Sequence, residues 1–269
     1  MSAGSVARQL LGADIIEVAW HSGHAGTRVL RARSAAHGEV IVKLHRNRQR
    51  REQEVRAYRE WVPRLGNRAP GLVAVSEDPP GIIIRAVPGV RLSDWRLTPE
   101  QERDAFRQAG CLLAELHSAA APVEDPTWVG WLADRGRYWL DRAGHLLSTA
   151  ERGAAEEQLA VLEQLPATTL VPCHLDFMPY NLIRADDGTV RLIDFEHARY
   201  DLAARDLVRL ATRVWPGRPD LAEAFLSEFE PLTALGRSVM DLCAVIDRTS
   251  LLAIGLQSPA LLQPQAETA

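Results

Sequence analysis

Three short runs open the chain at residues 14–20, 27–33 and 39–44, rich in β-branched or apolar side chains and separated by Gly23, Gly26 and Gly38. That pattern predicts an antiparallel meander. From 48 to 62 the period changes: Val55, Tyr58, Val62 and Leu65 recur at helical spacing, so a helix is expected. Residues 72–76 and 82–87 flank Asp78-Pro-Pro-Gly81 and predict two more strands joined by a tight turn, with Pro88-Gly89 ending the sheet. Thr98-Pro99 then reads as an N-cap followed by proline at the first helical position, opening a helix that runs to about His117. Residues 127–165 are expected to be helical, 170–194 return to strands, helices resume near 202, and 264–269 is expected to fray. This order predicts an α+β chain: a small β-rich lobe over 1–89 and a larger, mainly helical lobe over 90–269, with one hairpin set among its helices.

Composition narrows the classes. A chain of 269 residues, 46% hydrophobic and 25% charged, is globular and needs no metal or disulfide staple. Cys111, Cys173 and Cys243 lie far apart in the sequence, which indicates reduced thiols rather than a disulfide framework or a zinc ribbon. A net charge of −4 disfavours nucleic acid and slightly favours a cationic substrate. Residues 1–8 lack the features of a secretion signal, and no apolar run reaches the ~18 residues of a membrane span. A cytoplasmic chain without membrane contact is therefore expected, with a monomer as default.

One imbalance changes the picture further. Of 31 basic residues only Lys43 is lysine. A coding bias explains the arginines. The lysine is then either a leftover surface residue or the mark of a site that needs a compact ammonium where a planar guanidinium does not fit.

His174-Leu-Asp176-Phe-Met-Pro-Tyr-Asn181 sets an Asp two residues after a His and an Asn five after that Asp. This is the spacing of a phosphoryl-transfer loop, in which the Asp accepts the proton of the attacking hydroxyl and the Asn binds Mg²⁺. Asp187-Gly188 follows between apolar runs and ends at Asp194, which predicts a hairpin. With a two-residue turn at Asp187-Gly188, Asn181 and Asp194 stand opposite each other, about 4.5–5.5 Å apart at Cβ, and could hold one metal. A three-residue turn would shift that register by one.

Lys43, in a strand upstream of a helix, suits a phosphate-pairing lysine, which needs a carboxylate to hold it. On that helix Glu54 lies about 50° from the centre of the apolar face, Glu52 about 110°, and Glu60 nearly opposite. Glu54 is the inward candidate; the alternative is a solvated carboxylate paired with a neighbouring arginine.

The set Lys43, Glu54, His174-x-Asp176-x₄-Asn181 and Ile193-Asp194 resembles the aminoglycoside phosphotransferase and choline kinase family. These are relatives of protein kinases that phosphorylate small-molecule hydroxyls. The resemblance covers most of the chain. It implies a two-lobed, protein-kinase-like α+β fold, with Asp176 as base, Asn181 and Asp194 as Mg²⁺ ligands, and Lys43 on the phosphates of ATP. Residues 84–89, including Ile84 and Ala86, resemble the hinge whose backbone hydrogen-bonds adenine. Leu112 to His117 resembles the helix end before the substrate-side insertion, and Asp206 the aspartate that braces the catalytic loop. Two departures stand out: Asp194-Phe195-Glu196 replaces Asp-Phe-Gly, against a protein-kinase activation segment, and Gly23-His-Ala-Gly26 is a weak phosphate loop. Ser22 and the amide of Gly23 are its candidates for covering phosphate.

The implied substrate is a small cationic alcohol, an aminoglycoside or another antibiotic, for which Glu196, Asp201, Glu228, Glu230, Asp241 and Asp247 are candidate partners or else solvated charges. A metabolic kinase for choline, homoserine, a macrolide or another alcohol is the alternative, and a silent nucleotide-binding module the rival from another class. Trp128, Trp131 and Trp139 are either core or an aromatic wall. His21 and His24 read as turn histidines rather than metal ligands, His174 as a structural donor, and Arg46, Arg48, Arg50 and Arg51 as a solvated helix face.

Overall fold

The computed structural model describes residues 2–22, 28–94, 96–229 and 231–255, with the backbone alone at His21 and Ser22. It opens on a helix the sequence reading does not place, α1 (Ala3–Leu11), capped by the Ser2 side chain accepting from the Ser5 amide. Nine residues are too few to hold a helix in water. This one persists because Ala3, Val6 and Ala7 are buried against Leu30, Val40 and Val42 of the sheet behind them.

That sheet comprises β1 (Ile15–Ser22), β2 (Arg28–Ser34) and β3 (Gly38–Leu44), then, after α2 (Arg48–Glu60), β4 (Leu72–Ser76) and β5 (Gly81–Arg85). It is antiparallel throughout, in the order β1-β2-β3-β5-β4. Alternation divides its faces. Val40, Val42 and Leu44 turn toward α1, which leaves Lys43 on the other face, toward α2. α2 stops two residues before the expected end, and Val62–Arg68 continues as 3₁₀ helix around Pro63. The expectation of one helix beside this sheet is thus corrected to two.

The rest is mainly helical. β6 (Val90–Arg91) precedes α3 (Pro99–His117), whose start is the expected one, with a reciprocal Thr98/Gln101 capping box. After β7 (Val123–Glu124) come α4 (Trp128–Ala143), α5 (Thr149–Glu163), β8 (Thr169–Cys173), β9 (Leu182–Arg184), β10 (Val190–Leu192) and β11 (Arg199–Asp201). α6 (Val208–Arg213), α7 (Pro219–Leu226) and α8 (Ala234–Ala253) complete the described chain. Two small sheets, β10-β9-β6 and β11-β8-β7, frame the loop that carries Asp176. β6, β7 and β11 span two or three residues each, too few for a period to show.

One core joins the parts. Ala109, Leu112, Leu113 and Leu116 of α3 pack with Val55, Tyr58 and Trp61 from the sheet side and with Phe177 and Phe195 from the loops of the small sheets. Leu113 is fully buried, and truncation to alanine would cost ~3 kcal/mol. Gly110 lies against the Phe225 backbone so closely that a Cβ would collide, which lets α3 and α7 approach. Among the described residues no helix is long and apolar enough to cross a membrane.

Candidate active site

Lys43 is buried, and its Nζ donates to Glu54 Oε1 at 2.8 Å and to Asp194 Oδ1 at 2.7 Å. Glu54 has no exposed surface, so the inward position expected from its helix angle is where it stands. His45, two residues along β3 from Lys43, meets the other Glu54 oxygen at 2.6 Å. Burial works against the Lys43 ammonium, but Asp194 and Glu54 outweigh it and hold its pKa well above the ordinary lysine value. Burial likewise opposes the Asp194 carboxylate, and Lys43 reverses this, bringing it down to about 2. Tyr58 lies edge-on to Phe195 at 5.3 Å between ring centroids.

The loop carrying Asp176 is held from beneath. Asp206 accepts from the His174 amide at 3.0 Å, from the Leu175 amide, and from His117 Nε2 at 2.9 Å. These donors keep its carboxylate below the usual range although burial pushes the other way. They also hold Leu175 in the left-handed region, φ 63°, unusual for a residue branched like leucine. His174 Nε2 donates to Ile193 O at 3.0 Å while Nδ1 accepts from the Asp176 amide at 3.3 Å. Only a neutral ring with its proton on Nε2 satisfies both, in agreement with the downward shift that burial imposes on it. The expectation of a structural rather than catalytic His174 agrees with this geometry.

Asp176 Oδ2 accepts from Asn181 Nδ2 at 2.9 Å, and the same nitrogen reaches the Asp176 carbonyl at 2.9 Å. Among the described residues no donor meets Asn181 Oδ1. Asp176 Oδ1 accepts from the Tyr180 hydroxyl at 2.6 Å and from Arg209. Burial and the adjacent Asp176 raise the Tyr180 pKa, so the phenol stays a donor.

The hairpin register differs from expectation. Leu182 pairs with Leu192 and Arg184 with Val190, and the Ile193 amide donates to Asn181 O at 3.0 Å. The loop therefore has three residues, Asp186 to Gly188: the Gly188 amide bonds Ala185 O, and Gly188 adopts φ 85°. Asn181 consequently opposes Ile193, not Asp194. A regular strand would send Asp194 to the opposite face. A left-handed backbone at Asp194, φ 70° and ψ 67°, turns its carboxylate back to Lys43 instead.

The hinge expectation also changes in detail. Ile84 lies inside β5, paired to Ile41 and Leu72, so it offers a side chain rather than free backbone groups. The Ala86 amide donates to Glu39 O at 2.9 Å. Gly23 lies outside the described residues, and so does the side chain of Ser22.

The fold thus brings together a lysine held between two carboxylates and an Asp–Asn pair on a neighbouring loop. The model of the phosphotransferase enzyme family (APH) matches residues 20–242. The chain belongs to that family. No curated protein matches its sequence. Among solved structures, the GDP and kanamycin complex of APH(2")-IIIa superposes with TM-score 0.69 at 18% identity, covering 95% of this chain and 92% of that one. The macrolide 2'-phosphotransferase MphH of Brachybacterium faecium gives 0.64 at 17%, covering 98% of each chain. An aminoglycoside-3'-phosphotransferase of type VIII gives 0.62 at 22%, covering 93% of this chain and all of that one. The fold is thus the mixed, kinase-like α+β fold expected.

Three of the acids expected to meet a cationic substrate, Asp201, Glu196 and Asp247, face arginines. Asp201 is buried, bonded to Arg199 at 2.8 Å and to Trp128 Nε1 at 2.9 Å. Glu196 lies 3.6 Å from Arg50 and 3.4 Å from His197. Asp247 is gripped by Arg213 and also reached by Arg209 Nε at 3.2 Å. Glu228 and Asp241 are exposed on the surface, and Glu230 and His24 lie outside the described residues. Trp128, half-buried, and Trp131, exposed, stack at 4.7 Å, with Arg199 over both rings and Arg135 over Trp131 and Trp139. Of the helix arginines, Arg51 is buried on Glu77 and Arg48 lies 3.6 Å from the same carboxylate.

Sequence reasoning missed His45, Tyr180 and Arg209, and offered Asp247 only as a partner for a cationic substrate. Tyr180 carried a signal, since it lies within the motif four residues after Asp176. Arg209 reaches the loop from α6 and is itself met by Asp247 from α8, and no local pattern announces either contact.

Proposed function

We propose that this protein transfers the γ-phosphoryl group of ATP to a hydroxyl of a small molecule, with residues 1–89 binding the nucleotide and 90–269 the acceptor. The observation that carries the reading is Lys43 fixed between Glu54 and Asp194, with Asp176 tied to Asn181 on the adjoining loop. In this reading Asp176 orients the acceptor hydroxyl and takes its proton. Lys43 pairs with the nucleotide phosphates and is kept in place by Glu54. Apolar Ile84 and the backbone of the Ala86 segment border the base, and Ser22 and Gly23 lead the phosphate-covering loop.

The donor set suits Mg²⁺. Asn181 Oδ1 and the Asp194 oxygen not engaged by Lys43 are hard oxygen donors without protein partners among the described residues, as that ion requires. When bound there, Mg²⁺ supplies neutralisation of charge on the phosphates. The protein's contribution is mostly positioning and preset electrostatics.

Solved relatives in fold are described as acting on macrolides and aminoglycosides, so antibiotics head the acceptors to be screened, with metabolic alcohols after them. The test is ATP consumption by the purified chain across such a panel, repeated with Asp176→Asn. Acceptor-dependent ADP release that this variant abolishes supports the reading. ATP and Mg²⁺ binding without turnover of any acceptor would favour the silent nucleotide-binding module.

A further inference from the structure

Each carboxylate named around the transfer site already has a cationic partner. Asp194 has Lys43, Glu196 has Arg50 and His197, Asp201 has Arg199, Asp247 has Arg213, and Asp176 has Arg209. An ammonium group on an acceptor would therefore find no unpaired acid among them and would have to displace an arginine. Arginines hold planar carboxylates bidentately, as Arg213 holds Asp247, with Nε donating to Oδ2 at 3.1 Å and Nη2 to Oδ1.

Arg209 stands in a different position. Arg213 matches the charge of Asp247, and the single Nε contact of Arg209 to Asp247 adds a second cation to the same carboxylate. The remaining counter-charge of Arg209 is Asp176 itself. The Asp176 side chain is only 15% exposed, and its oxygens are occupied by Tyr180, Arg209 and Asn181. Two donors crowd Oδ1, whereas Oδ2 holds only Asn181, so about one lone-pair site of the carboxylate stays open. Asn181 and Tyr180 belong to the loop itself, whereas Arg209 reaches in from α6, so Arg209 is the donor from outside the loop whose withdrawal frees Oδ1 for an acceptor hydroxyl. Once withdrawn, Arg209 needs another anion. Its Nη2 and Arg213 Nη1 meet no acceptor among the described residues, and Arg209 is about a third exposed, at 32%.

We infer that Arg209 is a specificity-determining residue, and that the acceptor carries a carboxylate or phosphate group that draws Arg209 off Asp176 as its hydroxyl docks. The inference rests on the phosphotransferase reading and names its substrate class. In the transfer, the acceptor oxygen bonds to the γ-phosphorus and the bond from that phosphorus to the β,γ-bridging oxygen breaks. ADP leaves with the electron pair, and the hydroxyl proton passes to Asp176. Arg209 forms no bond to the reacting atoms; it joins binding of the anion to release of the base.

The test measures ADP release with matched acceptors, glucuronate, glucose and glucosamine, and with larger sets of hydroxy acids and sugar phosphates, neutral polyols and macrolides, and aminoglycosides. Anionic compounds are expected as the acceptors. Arg209→Gln is expected to raise their KM about tenfold or more, while the KM for ATP stays within about twofold. Arg209→Lys, which keeps the charge, is expected to recover part of the loss and guards against a folding defect, which thermal unfolding of both variants would reveal. Turnover of aminoglycosides or neutral compounds in preference to anionic ones overturns the inference while leaving the phosphotransferase reading intact. A rise confined to the KM for ATP assigns Arg209 to the γ-phosphate and equally overturns it. Absence of ADP release with every acceptor overturns the phosphotransferase reading, and this inference with it.

Discussion

The two sides of the transfer site are built on opposite principles. On the nucleotide side, Lys43 is buried between Glu54 and Asp194, and His45 holds the far oxygen of Glu54, so the charge is fixed in place before any ligand arrives. On the acceptor side, Asp176 is capped by an arginine from another helix that Asp247 also holds. In the proposed function the first arrangement needs no reorganisation at the moment of transfer, because its charge is preset. In the inference drawn above the second opens on acceptor binding. On these proposals nucleotide binding is a matter of preorganisation, and acceptor choice a matter of what displaces Arg209.

The largest effect expected bears on the point where the two sides meet. Asp176→Asn should lower kcat by ~10³-fold, about 4 kcal/mol, and leave ATP affinity within a few-fold. Steady-state turnover and nucleotide titration decide it, and an equal loss of ATP affinity would dissolve the division between the sides. Next comes the nucleotide side alone. Lys43→Arg keeps the charge but cannot fit the gap between Glu54 and Asp194, so kcat/KM should fall about 10²-fold, or ~2.7 kcal/mol. Wild-type turnover with wild-type stability in this variant would make the lysine a bystander.

Removing the support under the acceptor side should register in stability. Asp206→Asn loses charge-assisted bonds to His174, Leu175 and His117, and about 2 kcal/mol is expected in denaturant unfolding. The sign with pH follows from the lowered Asp206 pKa. The contribution is complete above the ordinary Asp value, roughly pH 4, and is lost as pH falls through the lower folded value, so the wild-type advantage over Asp206→Asn should shrink with acidification below about pH 4. An advantage that stayed constant across that window would reject the linkage. The smallest effect concerns the hairpin: Gly188→Ala, at φ 85°, should cost ~1 kcal/mol of stability. A wild-type melting temperature would mean that the left-handed turn tolerates a side chain.

What could be read in advance follows the range of the interactions. The meander, α2 and α3 were legible because hydrophobic period and capping residues are local, and Glu54 because a helix angle relates it to its own apolar face. α1 was not, since its small residues acquire meaning only against the sheet they cover. Asp194 illustrates the boundary well. Its pairing with Asn181 rested on a two-residue turn, while the real three-residue loop shifts the register by one and a left-handed residue restores the aim.

The sequence by itself determined the meander, α2 and α3, the Asp–Asn motif and the singular lysine, because period, spacing and residue chemistry are properties of neighbours along the chain. Tertiary structure alone decided that Glu54 also meets His45, which donors Asp206 engages beneath the loop, and that Arg209, also held by Asp247, reaches Asp176. Those contacts join residues up to 89 positions apart, as between His117 and Asp206. The geometry around Arg209 is set by how α6 packs against α8, and no short-range pattern encodes where two distant helices will bring their charges.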